Sequence, residues 1–307
     1  MTSILITGGT GFIGYNLIKY LLSNTDYQII SLDKYRNHRI THSRVNYMVH
    51  DLRNPLDQTL INEMGDIEHI IHLAGATDAG ESISNPSKYV LDNIIGTLNL
   101  LEYSRNNLID LKKFIYFNTA EVYGPSRGTI FSEDQSYYAI NPYAATKIGA
   151  QEMCLVYHRL YNIPVITTYT TNSFGPMQSD KKFIPLMIDR ILSEQVVYVH
   201  ADKSKRPMKR NYLHVDDVCG ATLFLMKNGL PGAKYNITAK ENIDNLKIVR
   251  IIASSLNKEL KYELVFPRDS PLALPMLSGE KLRNLGWIPK KKFEESLREF
   301  VRWKVKK

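Results

Sequence analysis

A glycine-rich turn near the N-terminus constrains the fold of this chain more than any other feature. It reads Gly8-Gly9-Thr10-Gly11-Phe12-Ile13-Gly14. The residues before it, Ser3 to Thr7, are apolar and β-prone. The residues after it place Ile13, Leu17 and Leu21 at four-residue spacing, which is one face of a helix. Strand, tight turn, helix is the context in which such a turn binds a dinucleotide. Glycine permits the turn, lets backbone N–H groups approach a pyrophosphate, and lets the helix lie close on the strand. The helix N-terminus presents a partial positive charge to the phosphates.

A second strand is expected over residues 27–32, closed by Asp33. A carboxylate about 20 residues beyond the glycines can accept hydrogen bonds from both hydroxyls of an adenosine ribose, and it repels a 2′-phosphate. NAD is therefore the expected cofactor, although the nearby Lys34 and Arg36 would suit NADP. Further strands are expected at 45–49, 67–73, 114–118 and 164–169. Long helices are expected from Pro86 to about Asn106 and from Pro142 towards Tyr161. Strands alternating with helices specify an α/β fold, a Rossmann-type doubly wound parallel sheet. After Gly175-Pro176 the rhythm changes. Helices are expected at 183–192, 214–227 and 245–256, strands at 234–238 and 261–265, and two short helices at the end. A strongly basic loop holds Lys203, Lys205, Arg206, Lys209 and Arg210. This organisation predicts a dinucleotide-binding domain over 1–172, with 211–238 packing back on it. A smaller α/β C-terminal lobe for the substrate takes most of 173–307.

With 307 residues, 44% apolar and 23% charged, the chain has an ordinary globular composition. Its net charge is 39 − 31 = +8. That excess suits a solvated basic surface or an anionic ligand. Nucleic acid is not expected, because the basic residues are spread over many segments and no zinc-finger spacing occurs. Cys154 and Cys219 both lie in apolar helical patterns, so buried thiols in a reducing cytoplasm are expected rather than a disulfide. His38 and His42 lack a third ligand, and no metal site is expected. No run approaches the length of a membrane span and no signal peptide is evident, so a cytoplasmic protein is expected.

The candidate chemistry lies further along. Tyr143 and Lys147 are four apart on an expected helix and share one face. Upstream, a strand ends in Asn118-Thr119, with Glu121 at its mouth. Ligands in such sheets bind beyond the carboxyl ends of the strands. Bringing a tyrosine from its usual pKa of about 10 to about 7 takes roughly 4 kcal/mol of preferential phenolate stabilisation. The Lys147 ammonium and a cationic nicotinamide are the expected sources. Thr119 can hold the same substrate hydroxyl near Tyr143.

These stretches resemble the extended short-chain dehydrogenase/reductase family, in its nucleotide-sugar epimerase/dehydratase branch. The resemblance is carried by TGGTGFIG (7–14), Asp33, HLAGATD (72–78), DNIIGTLNLLE (92–102), NTAEVYG (118–124), NPYAATK (141–147), TTNSFGP (170–176), KKFIPLMI (181–188) and RNYLHVDDV (210–218). Within that branch the chain looks most like dTDP-glucose 4,6-dehydratases. The resemblance implies that Gly8, Gly11, Phe12, Ile13, Gly14, Asp33, Asp51, Leu52, Leu73, Ala74, Tyr143 and Lys147 bind NAD. It implies that Thr119, Glu121, Tyr143 and Lys147 are catalytic. It implies that Asn172, Lys182 and Arg210 hold a nucleotide-diphosphate sugar, and that the long helices pair in a homodimer. One departure matters. Dehydratases of this type carry Asp-Glu after the threonine, whereas this chain has Ala120-Glu121. Glu121 can remove a C5 proton, but alanine cannot protonate a departing C6 hydroxyl. A 4,6-dehydratase is thus the first expectation and a 4-epimerase the second. A uronate decarboxylase, with only Arg268 in its favour, is third, and a non-catalytic NAD-binding sensor is last.

Overall fold

A computed structural model describes residues 2–37, 39–126, 128–266 and 275–306. His38 and Arg268 lie outside the described residues. The first half runs β1 (Ser3–Thr7), α1 (Phe12–Asn24), β2 (Gln28–Asp33), β3 (Val45–Val49), α2 (Gln58–Met64), β4 (His69–His72), α3 (Ala79–Ser84), α4 (Pro86–Tyr89) and α5 (Gly96–Asn107). It continues with β5 (Lys113–Thr119), β6 (Ile130–Phe131) and α6 (Pro142–Tyr161). The second half runs β7 (Val165–Thr170), β8 (Asn172–Phe174), α7 (Phe183–Leu192), β9 (Val197–His200), β10 (Lys209–His214) and α8 (Val215–Asn228). It ends with β11 (Lys234–Ile237), β12 (Asn242–Asp244), α9 (Asn245–Leu256), β13 (Tyr262–Val265), β14 (Met276–Leu277), α10 (Glu280–Leu285) and α11 (Phe293–Val305).

Seven strands form one parallel sheet in the order β11-β7-β5-β4-β1-β2-β3. Its central strands read as continuous apolar runs because both faces are covered. Ile4, Leu5, Ile6, Ile70, Ile71, Phe114 and Ile115 are fully buried. On one face Leu17, Ile18 and Leu21 of α1 pack with Val218, Cys219 and Ala221 of α8. On the other, Leu100 and Leu101 of α5 pack with Ala150 and Cys154 of α6. The chain leaves β1 towards β2 and β3, then returns to the other side of β1 as β4. That reversal opens a crevice at the carboxyl ends of β1 and β4.

A separate apolar core joins α7, α9 and α11 to Phe174, Val197, Val199 and Tyr212. Strands β12, β10 and β8 form a small mixed sheet against it, and β9 pairs with β13. Both cysteines are free and buried.

The structure differs from the sequence expectations in several places, and the short strands β6, β9, β12 and β14 were among the elements not expected. Helices α2 and α3 were not expected, although Asp57 and Asp78 cap them by accepting from Leu60 N and Glu81 N. The helix expected over 86–106 is interrupted by a π-helical turn at Val90–Ile95. Strand β10 begins inside the basic run that reads as a loop, and β8 adds three residues beyond β7. The last helix, α11, has 13 residues and is not short.

Candidate functional site

The glycine turn lies against β4 at the crevice. Gly8 has φ +75°, and a Cβ there would stand 2.8 Å from Ala74 N. A Cβ on Gly14 would overlap Gly8 O. Leu73 N donates to Thr7 O at 3.1 Å, so Leu73 and Ala74 continue β4 alongside the turn. Gly11 is the N-cap of α1 and supplies no side-chain cap. The N–H groups that open α1, at Phe12 and Ile13, therefore have the orphan-donor character that suits a pyrophosphate. Asp33 ends β2, and its Oδ2 accepts from Thr10 N at 3.0 Å and Ser31 Oγ at 3.2 Å. Burial raises its pKa, against the opposing pull of those hydrogen bonds. These residues fit a dinucleotide whose ribose meets Asp33. Lys34 faces Asp92 at 3.5 Å, so its charge is partly met by the protein itself. Asp51 turns to Arg53, whose Nε donates to it at 2.8 Å, and this pair lowers the Asp51 pKa. Leu52 is buried, and its carbonyl accepts from Asn99.

Since the methyl group added in Gly14→Ala meets backbone rather than a movable side chain, that variant is expected to lose about 1–3 kcal/mol of stability. It should also bind NAD more weakly. Thermal unfolding and calorimetric NAD titration check both effects.

The candidate catalytic groups gather where β5 ends. Thr119 is the last residue of β5, and Glu121 sits in the 3-10 turn Ala120–Tyr123. Asn141 caps α6 by accepting from Ala144 N at 2.8 Å. Its Nδ2 donates to Glu121 Oε2 at 3.1 Å. One side chain therefore starts the helix that carries Tyr143 and holds the carboxylate opposite it. Sequence reasoning took Asn141 only as a helix start; its dependence on a distant turn left no local signal. Burial raises the Glu121 pKa, and the Asn141 bond and the charges of Lys182 and Arg210 pull it down. Tyr143 is buried, and burial followed by the Glu121 charge pushes its pKa up, while its hydrogen bond with the Thr119 side chain pulls it down.

Lys147 departs from expectation. Its ammonium lies 4.2 Å from the centre of the Tyr116 ring. Burial lowers its pKa to about 7. The protein's own groups thus raise the Tyr143 phenol rather than lower it. The physical reason is that a desolvated phenolate beside a carboxylate outweighs an ammonium stacked on another ring.

The Lys147 shift has a testable sign. A lysine depressed in the fold binds fewer protons than its unfolded counterpart between about 7 and its ordinary value of 10.5. Its contribution is therefore unfavourable below that window and is relieved as pH rises through it. The stability of Lys147→Met minus that of wild type is expected to fall as pH rises from 7 to 10. Urea unfolding at both pH values measures that difference.

A pocket beside these groups is lined by Thr119, Glu121, Thr171, Asn172, Arg210 and Asn211, among others. Arg210 enters it from β10, and its guanidinium donates only weakly, to Lys209 O at 3.3 Å. Asn172 pairs with Tyr212 across β8 and β10. Lys182 precedes α7 without a side-chain cap bond, outside the lining, and its charge acts on Glu121 and Asp78. Asn211 was not expected. Its Oδ1 accepts from Thr171 Oγ1, Thr238 Oγ1 and Ala239 N, each at 2.9 Å, and so ties the pocket wall to the segment that follows β11. Among the described residues no helix is long and apolar enough to cross a membrane.

A nucleotide-binding parallel sheet with a tyrosine, a threonine and a carboxylate at its mouth defines a class of NAD-linked enzymes. Residues 4–238 match the model of the NAD dependent epimerase/dehydratase family, and the chain belongs to that family. It is 30% identical to a dTDP-glucose 4,6-dehydratase of Haemophilus influenzae, over 99% of this chain and 98% of that one. Its fold matches the dTDP-glucose 4,6-dehydratase DesIV of Streptomyces venezuelae, solved with NAD and TYD bound. There the TM-score is 0.88 and the identity 27%, with 99% and 97% of the two chains covered. It also matches a UDP-glucuronic acid 4-epimerase of Bacillus cereus, solved with UDP-glucuronic acid and NAD. That TM-score is 0.87 and the identity 25%, with 99% of each chain covered.

Proposed function

We propose that this enzyme is a nucleotide-hexose 4,6-dehydratase. The observation that supports this reading most is Glu121, a half-buried carboxylate held by Asn141 beside Thr119 and Tyr143. Plain inversion at C4 needs no such base. When bound, NAD supplies the two-electron oxidant for the C4 carbinol and a positive charge beside it. Gly8, Gly11, Phe12, Ile13, Gly14 and Asp33 hold it, with Asp51, Leu52, Leu73 and Ala74 flanking its adenosine and Lys147 its nicotinamide ribose. Tyr143 takes the C4 hydroxyl proton, and Thr119 keeps that hydroxyl in reach. The C4 ketone acidifies C5, and Glu121 removes the C5 proton. Loss of the C6 hydroxyl as water needs one proton, which Ala120 cannot give. Glu121 now carries one, and its raised pKa suits it to return that proton to the C6 oxygen. The resulting 5,6-alkene takes back at C6 the two electrons removed at C4, and the one proton added at C5 equals in count the C4 hydroxyl proton that Tyr143 took and now releases, so electrons and protons both balance. Arg210, Asn172 and Lys182 receive the diphosphate, for which a half-buried guanidinium is a matched partner.

In this reading residues 1–172, joined by 211–238, form the cofactor domain and 173–307 supply most of the substrate lobe. A homodimer through α5, α6 and the turn before α5 is part of it. Val90, Leu91 and Leu160 expose apolar surface on those elements.

A second reading, 4-epimerase, is favoured by Ala120, which leaves the C6 hydroxyl without the usual acid. Incubation with dTDP-, UDP-, GDP- and CDP-sugars separates the two. Loss of one water mass supports dehydration. An unchanged mass with altered NMR couplings supports epimerisation, and loss of carbon dioxide from a uronate would overturn both.

A further inference from the structure

Behind the catalytic turn lies a closed triangle of hydrogen bonds that the chemistry above does not use. Its corners are Tyr137 in the loop before α6, Gln151 in α6 and Tyr169 in β7. Gln151 and Tyr169 are fully buried. Lys234 Nζ and Gln151 Nε2 each donate to the Tyr137 hydroxyl at 2.8 Å. A phenol oxygen that accepts twice gives its own hydrogen away, here to the Tyr169 hydroxyl at 2.5 Å. Tyr169 in turn donates to Gln151 Oε1 at 2.6 Å, which closes the ring. Every hydrogen then has one direction.

Two links lead from this ring to the reacting groups. Asn118 Nδ2 donates to Gln151 Oε1 at 2.7 Å, which leaves Asn118 Oδ1 to accept from Thr119 N at 2.8 Å. The ring therefore fixes the Asn118 rotamer and, through it, the backbone that carries Thr119. The second link is the loop itself. Tyr137 is pinned to α6, β7 and Lys234, and Asn141, which holds Glu121, lies four residues further along the same loop. Tyr123, which ends the turn carrying Glu121, packs its ring at a tilt against Tyr137 and Tyr169, with centroids 5.7 Å and 5.1 Å apart.

We propose that the Tyr137–Gln151–Tyr169 ring, anchored by Lys234, is a positioning device that sets Thr119 and Glu121 for reaction, with Gln151 as its central member. The inference rests on reading Thr119 and Glu121 as the reacting pair. Gln151→Leu strips partners from Tyr137, Tyr169 and Asn118 at once. Gln151→Glu, protonated in this buried site, keeps an oxygen that accepts from Tyr169 and Asn118 and an O–H that donates to Tyr137 as the amide does, so all three links of the ring keep their hydrogens.

The test compares both variants with wild type in turnover of the nucleotide sugar and in amide exchange of the peptide spanning residues 118–124. Gln151→Leu is expected to lower kcat about 10–100-fold with KM within about threefold, as misplacement of a reacting group does. Exchange in that peptide should quicken. Gln151→Glu should recover both. Should a folded, NAD-binding Gln151→Leu keep wild-type kcat and exchange, or should Gln151→Glu be as impaired as the leucine variant, the proposal is overturned. If Gln151→Leu does not fold, Tyr137→Phe, which removes one corner, is read by the same two measurements. If wild type turns over no nucleotide sugar, the functional reading fails on its own, and amide exchange still decides whether the ring holds the turn.

Discussion

Replacing Tyr143 with phenylalanine is expected to lower kcat about 10³-fold, the scale on which a general acid or base acts. NAD affinity and melting temperature should stay near wild type. The ring itself is undisturbed by the change: Tyr143 is buried, and its edge-to-face contact with Tyr89, at 6.2 Å between centroids, involves no hydroxyl. What is lost is the phenol hydroxyl that interacts with the Thr119 side chain. Product formation at saturating substrate, together with calorimetric NAD titration, measures the split. Turnover above a tenth of wild type would remove Tyr143 from the chemistry.

Glu121→Gln should separate the steps. The amide keeps an oxygen for Asn141 but takes no proton, so dehydration is expected to fall about 10²–10³-fold. Oxidation at C4 should persist, and the absorbance of reduced nicotinamide should build up when substrate is added. An epimerase would lose only a few-fold. The same substitution should stabilise the protein at neutral pH. Burial raises the Glu121 pKa above its ordinary 4.5, so the folded state holds the proton more tightly than the unfolded one. Stability drawn from that group is present below 4.5 and is lost as pH rises through the folded value. Above the folded value the carboxylate is charged, partly desolvated and costly, and the amide is not. The gain in melting temperature should shrink as pH falls towards 4, where wild type is protonated too. A carboxylate kept in spite of its cost is the pattern of a site that trades stability for activity.

What could be read from the sequence was what depends on neighbours in the chain. The glycine turn, Asp33 at the end of a strand, and the shared face of Tyr143 and Lys147 are all local geometry, and α6 begins and ends where its Asn-Pro start and helical spacing place it. What could not be read depends on residues far apart. Lys147 lies on Tyr116 because α6 packs on β5, and no spacing within either element reveals that. The π-helical turn accompanies Asn93, whose side chain reaches back to Ala76 and across to Thr146. Strand β10 was hidden because its first residues are cationic and partly exposed, so no apolar alternation marks them. The roles of Asn141 and Asn211 are tertiary by nature: each side chain satisfies groups on elements distant in the chain.

The position of β11 at the sheet edge has a consequence for biosynthesis. Residues 234–237 lie beside β7, yet about a quarter of the chain separates the start of that neighbour from them. A nascent polypeptide emerging from the ribosome must therefore carry an unfilled flank on β7, and an α1 without α8, until the closing strand has been made. Exposed edges of that kind invite self-association. Closure of the seven-stranded sheet therefore waits on the last of its strands to be synthesised.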